Sequence, residues 1–208
     1  MKKWSLFLLG LTLLSLTTIA EEFVVEEHYQ VLEQPLNDKV EVREFFSFYC
    51  PHCYRQEPIM QTIAQSLPED VPFKKNHVSG MPGKDVSVEE NLTKALLVAE
   101  KLDVYDEIVP AIFNYIHQSK ANFKNIKDIQ NLFVINGVAP DKFASALKSF
   151  SIDATHKSMQ KMTALLRQQG IPSVPTLIIN GRYRPVTQNI TSMEQYTALI
   201  HFLVAKGI

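Results

Sequence analysis

Two cysteines, Cys50 and Cys53, are the residues of this 208-residue chain whose types and spacing most directly suggest chemistry. They are the only cysteines in the sequence, and Pro51 and His52 lie between them in a Cys-x-x-Cys pair. Two thiols at this spacing can form and open a disulfide, so the pair predicts thiol–disulfide exchange. The preceding stretch, residues 42–49, is rich in β-branched and aromatic side chains, which indicates a strand that ends at the motif.

The residues around Cys50 predict that its thiol is more acidic than that of a free cysteine. Pro51 suits the first position of a helix, because the N–H that proline lacks has no intrahelical partner there. A helix that begins at Pro51 places the Cys50 sulfur beside unpaired N–H groups and the positive end of the helix dipole. His52 adds a neighbour that can donate a hydrogen bond or carry positive charge. Each effect lowers the pKa of Cys50 and raises its reactivity.

Two structural interpretations compete with the redox interpretation of this pair. A structural disulfide is common in exported proteins, but loop-closure stabilisation grows with loop length and this loop is very short. A structural zinc site takes four ligands, and the sequence has no second cysteine pair. The six histidines show no tight metal-binding spacing; they are His28, His52, His77, His117, His156 and His201. The residues therefore favour redox chemistry and predict no metal or other bound cofactor.

Residues 1–20 are predicted to be a cleaved signal peptide. Lys2 and Lys3 precede an apolar stretch over residues 4–16, and small residues ending at Ala20 form a cleavage site. The alternative is an uncleaved membrane anchor, but the apolar run is shorter than the ~20 residues that cross a bilayer. Removal of the two lysines leaves 19 basic and 22 acidic residues, a net charge of −3, with no nucleic-acid-binding pattern. Export also places the cysteines in an oxidising compartment.

The rest of the chain predicts one α/β unit with a helical insertion. Strands are expected at 29–32, 40–48 and 71–78, with a helix at 51–66 after the second. The second strand is apolar enough to be covered on both faces. Helical periodicity then dominates for about 75 residues. Its stripes are interpreted as core faces, and the fourth stripe consists of Phe143, Leu147 and Phe150.

The C-terminal part predicts a return to the sheet. A helix at 152–169 leads to a hairpin at Asn180-Gly181, because Asn-Gly between apolar runs favours a tight turn. The last helix should open with a capping box at Thr191–Glu194 and bury Met193 with the apolar residues that follow. A sheet with helices on both sides and an all-helical insertion after the third strand accommodates every element.

The chain resembles the DsbA family of the thioredoxin superfamily over nearly all of residues 21–208. The resemblance is carried by residues 44–48, the Cys-Pro-His-Cys motif, His77-Val78, the helical insertion, and Ser173-Val-Pro175 followed by Asn180-Gly181. It implies a thioredoxin-like domain formed by residues 21–78 and 155–208. Residues 79–154 would form an all-helical domain inserted after the third strand.

The resemblance also implies roles for individual residues. Cys50 matches the nucleophile that exchanges disulfides, and Cys53 matches the partner that resolves the mixed disulfide. Pro175 matches a cis-proline that faces the cysteines, which would present the backbone of Val174 to an extended substrate. An ordinary trans turn proline is the alternative.

Three charged residues match a group that the family keeps near the cysteines. Glu44 matches a buried carboxylate that carries a proton for Cys53. Glu57 and Lys75 match the charged residues beside that carboxylate. For Glu57 and Lys75, the alternative is a solvated pair on the surface.

The implied function is donation of the Cys50–Cys53 disulfide to reduced, unfolded exported proteins in a Gram-negative periplasm. A membrane quinone-linked oxidase would then reoxidise the pair, and the protein would have no stable membrane insertion after signal removal. Two alternatives stay open at this point. One is a reductase or isomerase of the same fold, and the other is a chaperone or peptide-binding module in which the cysteines are incidental.

Overall fold

The computed structural model of this chain describes residues 23–207. The predicted signal peptide therefore lies outside the described residues. Among the helices of residues 23–207, none is long and apolar enough to cross a membrane.

The described chain contains five strands and seven helices. They are β1 (Tyr29–Val31), β2 (Val42–Phe46), α1 (Pro51–Ser66), β3 (Phe73–His77), α2 (Val86–Lys101), α3 (Tyr105–His117), α4 (Ile126–Ile135), α5 (Pro140–Leu147), α6 (Phe150–Gln168), β4 (Thr176–Ile179), β5 (Tyr183–Pro185) and α7 (Met193–Ala205). This order confirms the predicted α/β architecture with helices inserted after the third strand.

The sheet places the strand that precedes the cysteines near its centre. The strand order is β1-β5-β4-β2-β3, in which β2 runs parallel to β3 and antiparallel to β4. Parallel pairing requires a crossover, and α1 supplies it between β2 and β3. Phe45 and Phe46 of β2 are fully buried. Because both faces of β2 are covered, its apolar density is explained, and the predicted central strand is confirmed.

Three groups of buried side chains hold the layers together. The largest fills the helical insertion and continues through Phe46 and Phe48 to both cysteines. A second lies between the sheet, α1 and α7, and a third lies between the sheet and α6. The turn that carries the cysteines therefore packs directly on the inserted helices.

The predicted Asn-Gly hairpin is confirmed between β4 and β5. Asn180 and Gly181 have φ values of 51° and 65°, which fit the type I′ turn that matches strand twist. A Cβ on Gly181 would collide with the backbone oxygen of Asn37, so this position requires glycine. The Asn180 amide also donates to the carbonyls of Leu203, Val204 and Gly207, and thereby ties the turn to the end of α7.

Three local predictions were wrong. Phe150 does not belong to the fourth apolar stripe, because it is the first residue of α6 and is 87% exposed. Met193 is exposed at the first turn of α7, where it borders an open pocket with Pro58 and Ile59 of α1. The cap of α7 lies one residue later than expected: Ser192 accepts from the backbone N–H of Gln195, and the Gln195 side chain accepts from that of Thr191.

The division into two domains stays a prediction. Helix α6 is continuous from Phe150 to Gln168 and runs through the boundary predicted at residue 154. It packs on α2 in the insertion and on β3 in the sheet.

Candidate active site

The turn between β2 and α1 places the two cysteines as the sequence predicts. Cys50 is the N-cap of α1 with extended backbone angles, and Pro51 occupies the first helical position. The Cys50 sulfur accepts a hydrogen bond from the backbone N–H of Cys53, at 3.3 Å. The sulfur therefore takes the place of the side-chain oxygen that usually caps a helix. Cys50 retains 4% exposure, whereas Cys53 is fully buried.

The two thiols have opposite acidity. The pKa of Cys50 is lowered to about 6, chiefly by a hydrogen bond from the Cys53 thiol, against the opposing effect of burial. The backbone N–H groups of Cys53 and His52 and the charge of His52 lower it further. The same thiol–thiol hydrogen bond and burial raise the pKa of Cys53 well above its ordinary range. The reduced pair therefore holds one proton on Cys53 and a thiolate on Cys50.

His52 lowers the pKa of Cys50, as the sequence predicts, but its charge is a minor contribution. Its side chain is exposed, and its Nδ1 lies 3.1 Å from the guanidinium of Arg55. Arginine can only donate, so Nδ1 is the acceptor in this contact. The Cys53 thiol and the helix N–H groups contribute more than His52 does to the low pKa of Cys50.

The peptide bond between Val174 and Pro175 is cis, as predicted from the resemblance. The loop that contains it lies opposite the cysteines, and the Val174 carbonyl oxygen lies 3.5 Å from the Cys50 sulfur, where it can accept a hydrogen bond when Cys50 is protonated. Both Val174 and Pro175 are half-buried. A substrate that reaches the Cys50 sulfur therefore also meets the backbone of this loop.

A buried ion cluster is close enough to the cysteines for the charge of Glu44 to act on both thiols. Glu44 and Lys75 are directly paired in the register of β2 and β3, and α1 adds Glu57. The Lys75 ammonium lies 3.0 Å from Glu44 Oε2, donates to Glu57, and sits 4.6 Å above the Phe46 ring. All three charged residues are buried, so the interpretation of Glu57 and Lys75 as a solvated pair was wrong.

Burial dominates the acidity of this cluster. It raises the pKa of Glu44 to about 7, although the charge of Lys75 acts in the opposite direction. Glu57 raises that pKa further, because a second carboxylate disfavours ionisation. Burial tends to lower the pKa of Lys75, but the charges of Glu44 and Glu57 outweigh it and raise that pKa. Lys75 therefore stays charged while Glu44 can gain or lose a proton near neutral pH.

The structure also brings together residues that the sequence interpretation did not connect with the motif. His117, at the end of α3, contacts the backbone of Phe48 and the ring of Tyr54 on either side of the cysteines. No short motif links His117 to Cys50, because 67 positions separate them in the chain. Within residues 23–207, no three His, Cys, Asp or Glu side chains are grouped so that they could hold a metal ion.

This fold and this site define a thioredoxin-like protein with a redox-active dithiol at the start of a helix. The model of the DSBA-like thioredoxin domain matches residues 41–200. The chain belongs to the DsbA family and is a thiol:disulfide oxidoreductase.

Curated relatives match along their entire length. The thiol:disulfide interchange protein DsbA of Pectobacterium carotovorum is 32% identical over 99% of this chain and 100% of the relative. The DsbA of Escherichia coli K12 is 29% identical with the same coverage.

Solved structures agree with the fold. The DsbA of Proteus mirabilis with a non-covalently bound peptide superposes with a TM-score of 0.76 at 24% identity, covering 89% of this chain and 100% of that one. The DsbA of Pseudomonas aeruginosa gives a TM-score of 0.69 at 26% identity, covering 88% and 94%.

Proposed function

We propose that this protein oxidises reduced, unfolded exported proteins by donating the Cys50–Cys53 disulfide. The contrast between the two thiols carries the proposal. At neutral pH the reduced protein is stabilised by the Cys50 thiolate, whose pKa is lowered to about 6. The disulfide contains no thiolate and gains nothing from the same surroundings. An environment that stabilises the reduced form makes the disulfide a stronger oxidant.

The proposed reaction begins when a substrate thiolate attacks the Cys50 sulfur. A substrate–Cys50 disulfide forms, the Cys50–Cys53 bond breaks, and its electron pair goes to the Cys53 sulfur. A second substrate thiolate then attacks the substrate sulfur of this mixed disulfide, and Cys50 leaves as a thiolate. The substrate loses two electrons and gains a disulfide, while the protein is left with the reduced pair.

Glu44 is proposed to supply the proton that Cys53 takes up when it leaves. A thiol with a raised pKa is a poor leaving group unless its sulfur is protonated as the bond breaks. Glu44 is buried and interacts electrostatically with Cys53, and its pKa of about 7 leaves it partly protonated at neutral pH. Lys75 and Glu57 are proposed to hold the Glu44 pKa in that range, since the ammonium lowers it and the second carboxylate raises it.

Substrate binding is proposed at the loop of Val174 and Pro175. The Val174 carbonyl lies within 3.5 Å of the Cys50 sulfur, so a peptide bound there would have its own thiol near the reacting atom. An extended chain can pair with exposed backbone groups as an added strand does. The Proteus mirabilis relative was solved with a non-covalently bound peptide, so peptide binding is a property of at least one protein of this fold.

The periplasm is the proposed site of action, and a membrane quinone-linked oxidase is the proposed reoxidant. Family membership and the predicted signal peptide support the location, and the reoxidant is what the resemblance to the family implies. The exported location supplies substrates with unpaired thiols, and an oxidising compartment lets the disulfide persist.

The equilibrium of the Cys50–Cys53 pair with glutathione tests the proposed direction. We expect an equilibrium that favours the reduced protein far more than that of a thioredoxin, and rapid oxidation of a reduced, unfolded protein. Rapid insulin reduction without such oxidation would instead identify a reductase or isomerase.

Two serine variants complete this experiment. Cys50→Ser should lose disulfide transfer, because the attacked sulfur is gone. Cys53→Ser has no disulfide to donate and should also fail to oxidise a reduced substrate. With a substrate that already contains a disulfide, its Cys50 thiolate should attack that bond and remain trapped as a mixed disulfide, because the resolving thiol is missing. A Cys50→Ser protein with full activity would overturn the proposal in favour of a chaperone or peptide-binding module.

A further inference from the structure

The end of helix α3 contacts the segment just before the cysteines. The Nε2 atom of His117 lies 2.8 Å from the backbone oxygen of Phe48, two residues before Cys50. A carbonyl oxygen only accepts, so Nε2 carries the hydrogen in this contact. Burial lowers the pKa of His117, as do the charges of Lys120, Lys84 and Arg55, against the opposing effect of the Phe48 hydrogen bond. The imidazole is therefore a neutral donor at neutral pH.

The same histidine contacts the segment just after the cysteines. Its ring stacks on Tyr54 with centroids 4.9 Å apart and planes inclined by 9°. The Tyr54 hydroxyl donates to the Asn114 side chain at 3.2 Å and accepts from that of Gln118 at 2.6 Å. Thus α3 holds Tyr54, which immediately follows Cys53, by both its ring and its hydroxyl.

These contacts bear on the position of the Cys50 sulfur. The backbone of the turn is closed by a hydrogen bond from the Cys50 N–H to the Ser47 carbonyl, at 3.0 Å. Phe48 lies inside this turn, so a hydrogen bond to its carbonyl restrains the peptide planes that lead to Cys50. The thiolate in turn depends on a 3.3 Å contact with the Cys53 N–H, and a hydrogen bond weakens steeply as its geometry degrades.

We propose that His117 is a positioning residue that holds the Phe48 carbonyl and the Tyr54 ring so that the Cys50 sulfur stays on the start of α1. It acts from the inserted helices on the reacting turn and does not touch the reacting atoms. The inference rests on the proposed role of the Cys50 thiolate.

Titration of the reduced protein and equilibration with glutathione test this role in His117→Ala, His117→Gln and His201→Ala variants. Thiolate absorbance across pH reports the pKa of Cys50. In His117→Ala, we expect the thiolate to be up to about tenfold less favoured, which is one pKa unit, with a parallel shift of the glutathione equilibrium toward the oxidised protein. His117→Gln keeps an N–H donor of similar reach and should recover part of both shifts.

His201→Ala is the matched control. His201 is exposed and lies 3.3 Å from Ser66 at the opposite end of α1, so its loss should leave both readouts unchanged. An effect of His117 on packing alone would lower the stability of oxidised and reduced protein equally and move neither readout. Wild-type values of both readouts in folded His117→Ala would overturn the inference, and so would shifts in His117→Gln as large as those in His117→Ala. An ordinary pKa for Cys50 in the unsubstituted protein would instead overturn the proposed function.

Discussion

At the first turn of α1, Cys50 releases its proton more readily than a free cysteine, whereas in β2 Glu44 holds its proton more tightly than a free glutamate. Both groups are buried, and both have a donor or a cation nearby. At Cys50, several hydrogen-bond donors point at one sulfur, and together they lower its pKa more than burial raises it. At Glu44, the Lys75 ammonium is shared with a second carboxylate, Glu57. Burial therefore raises the Glu44 pKa more than the ammonium lowers it.

At these two groups, the balance between burial and the donors or cations around the anion decides the sign of the pKa shift. It also gives the two regions complementary chemistry. The first turn of α1 stabilises the Cys50 thiolate, which is the last leaving group in the proposed reaction. Glu44 in β2 retains a proton for Cys53, which is the first leaving group. Three changes test this difference.

The largest effect is expected from Lys75→Met, which removes the ammonium between Glu44 and Glu57. Breaking a buried ion pair in this way destabilises a fold by about 3–5 kcal/mol. The loss of stability should be greatest above neutral pH, where Glu44 is ionised. It should be smaller in acid, because a protonated and uncharged Glu44 is not destabilised by the absence of a neighbouring cation. Urea unfolding of the oxidised protein at several pH values measures it.

Lys94→Met is the matched control, since Lys94 pairs with Asp153 near the surface, where the two side chains are 31% and 52% exposed. It should change stability little, because exposed ion pairs are screened by water. Equal losses in the two variants would contradict the assignment of the Lys75 cluster as buried. A second substitution, Glu44→Gln, should restore part of the stability lost in Lys75→Met.

An intermediate effect is expected from Glu44→Gln alone. A carboxyl whose folded pKa is about 7, against ~4.3 when unfolded, contributes stability that is complete below the unfolded value and lost as pH rises through 7. This contribution is on the order of 3 kcal/mol across that range. The variant should therefore show a flatter dependence of stability on pH between about 4 and about 7.

The same variant should slow disulfide transfer and remove an inflection near pH 7 from its rate. Single-turnover oxidation of a reduced peptide measures the rate. A pH profile identical to that of the unsubstituted protein would contradict proton transfer by Glu44 while leaving the exchange at Cys50 intact.

The smallest effect is expected from His52→Ala. The charge of His52 makes a minor contribution to the low pKa of Cys50, so its loss should raise that pKa by less than about one unit. At ~30 mV for each such unit, the protein would become a slightly weaker oxidant. Alkylation of reduced protein as a function of pH measures the change, and an unchanged midpoint would remove His52 from the explanation.

Several features of this protein could be predicted from short stretches of its sequence. The Cys-Pro-His-Cys motif after an apolar strand correctly predicted the start of α1 and the capping position of the Cys50 sulfur. Asn180-Gly181 correctly predicted the hairpin turn, because its backbone angles depend on the two residues themselves. Each of these features is determined within a few neighbouring residues.

Exposure was harder to predict for Phe150 and Met193. Apolar periodicity indicates a helix and a preferred inner face, but it does not show which turns another element covers. Both residues lie in the first turn of a helix: Phe150 is 87% exposed, and Met193 borders an open pocket beside α1.

Only the tertiary structure decided the electrostatics of the site. The ion cluster exists because β2, β3 and α1 bring Glu44, Lys75 and Glu57 together in a buried layer. The contacts of His117 exist because the inserted helices pack on the turn before Cys50. Residue types determine which groups can ionise, whereas burial and the charges of distant segments determine at what pH they do so.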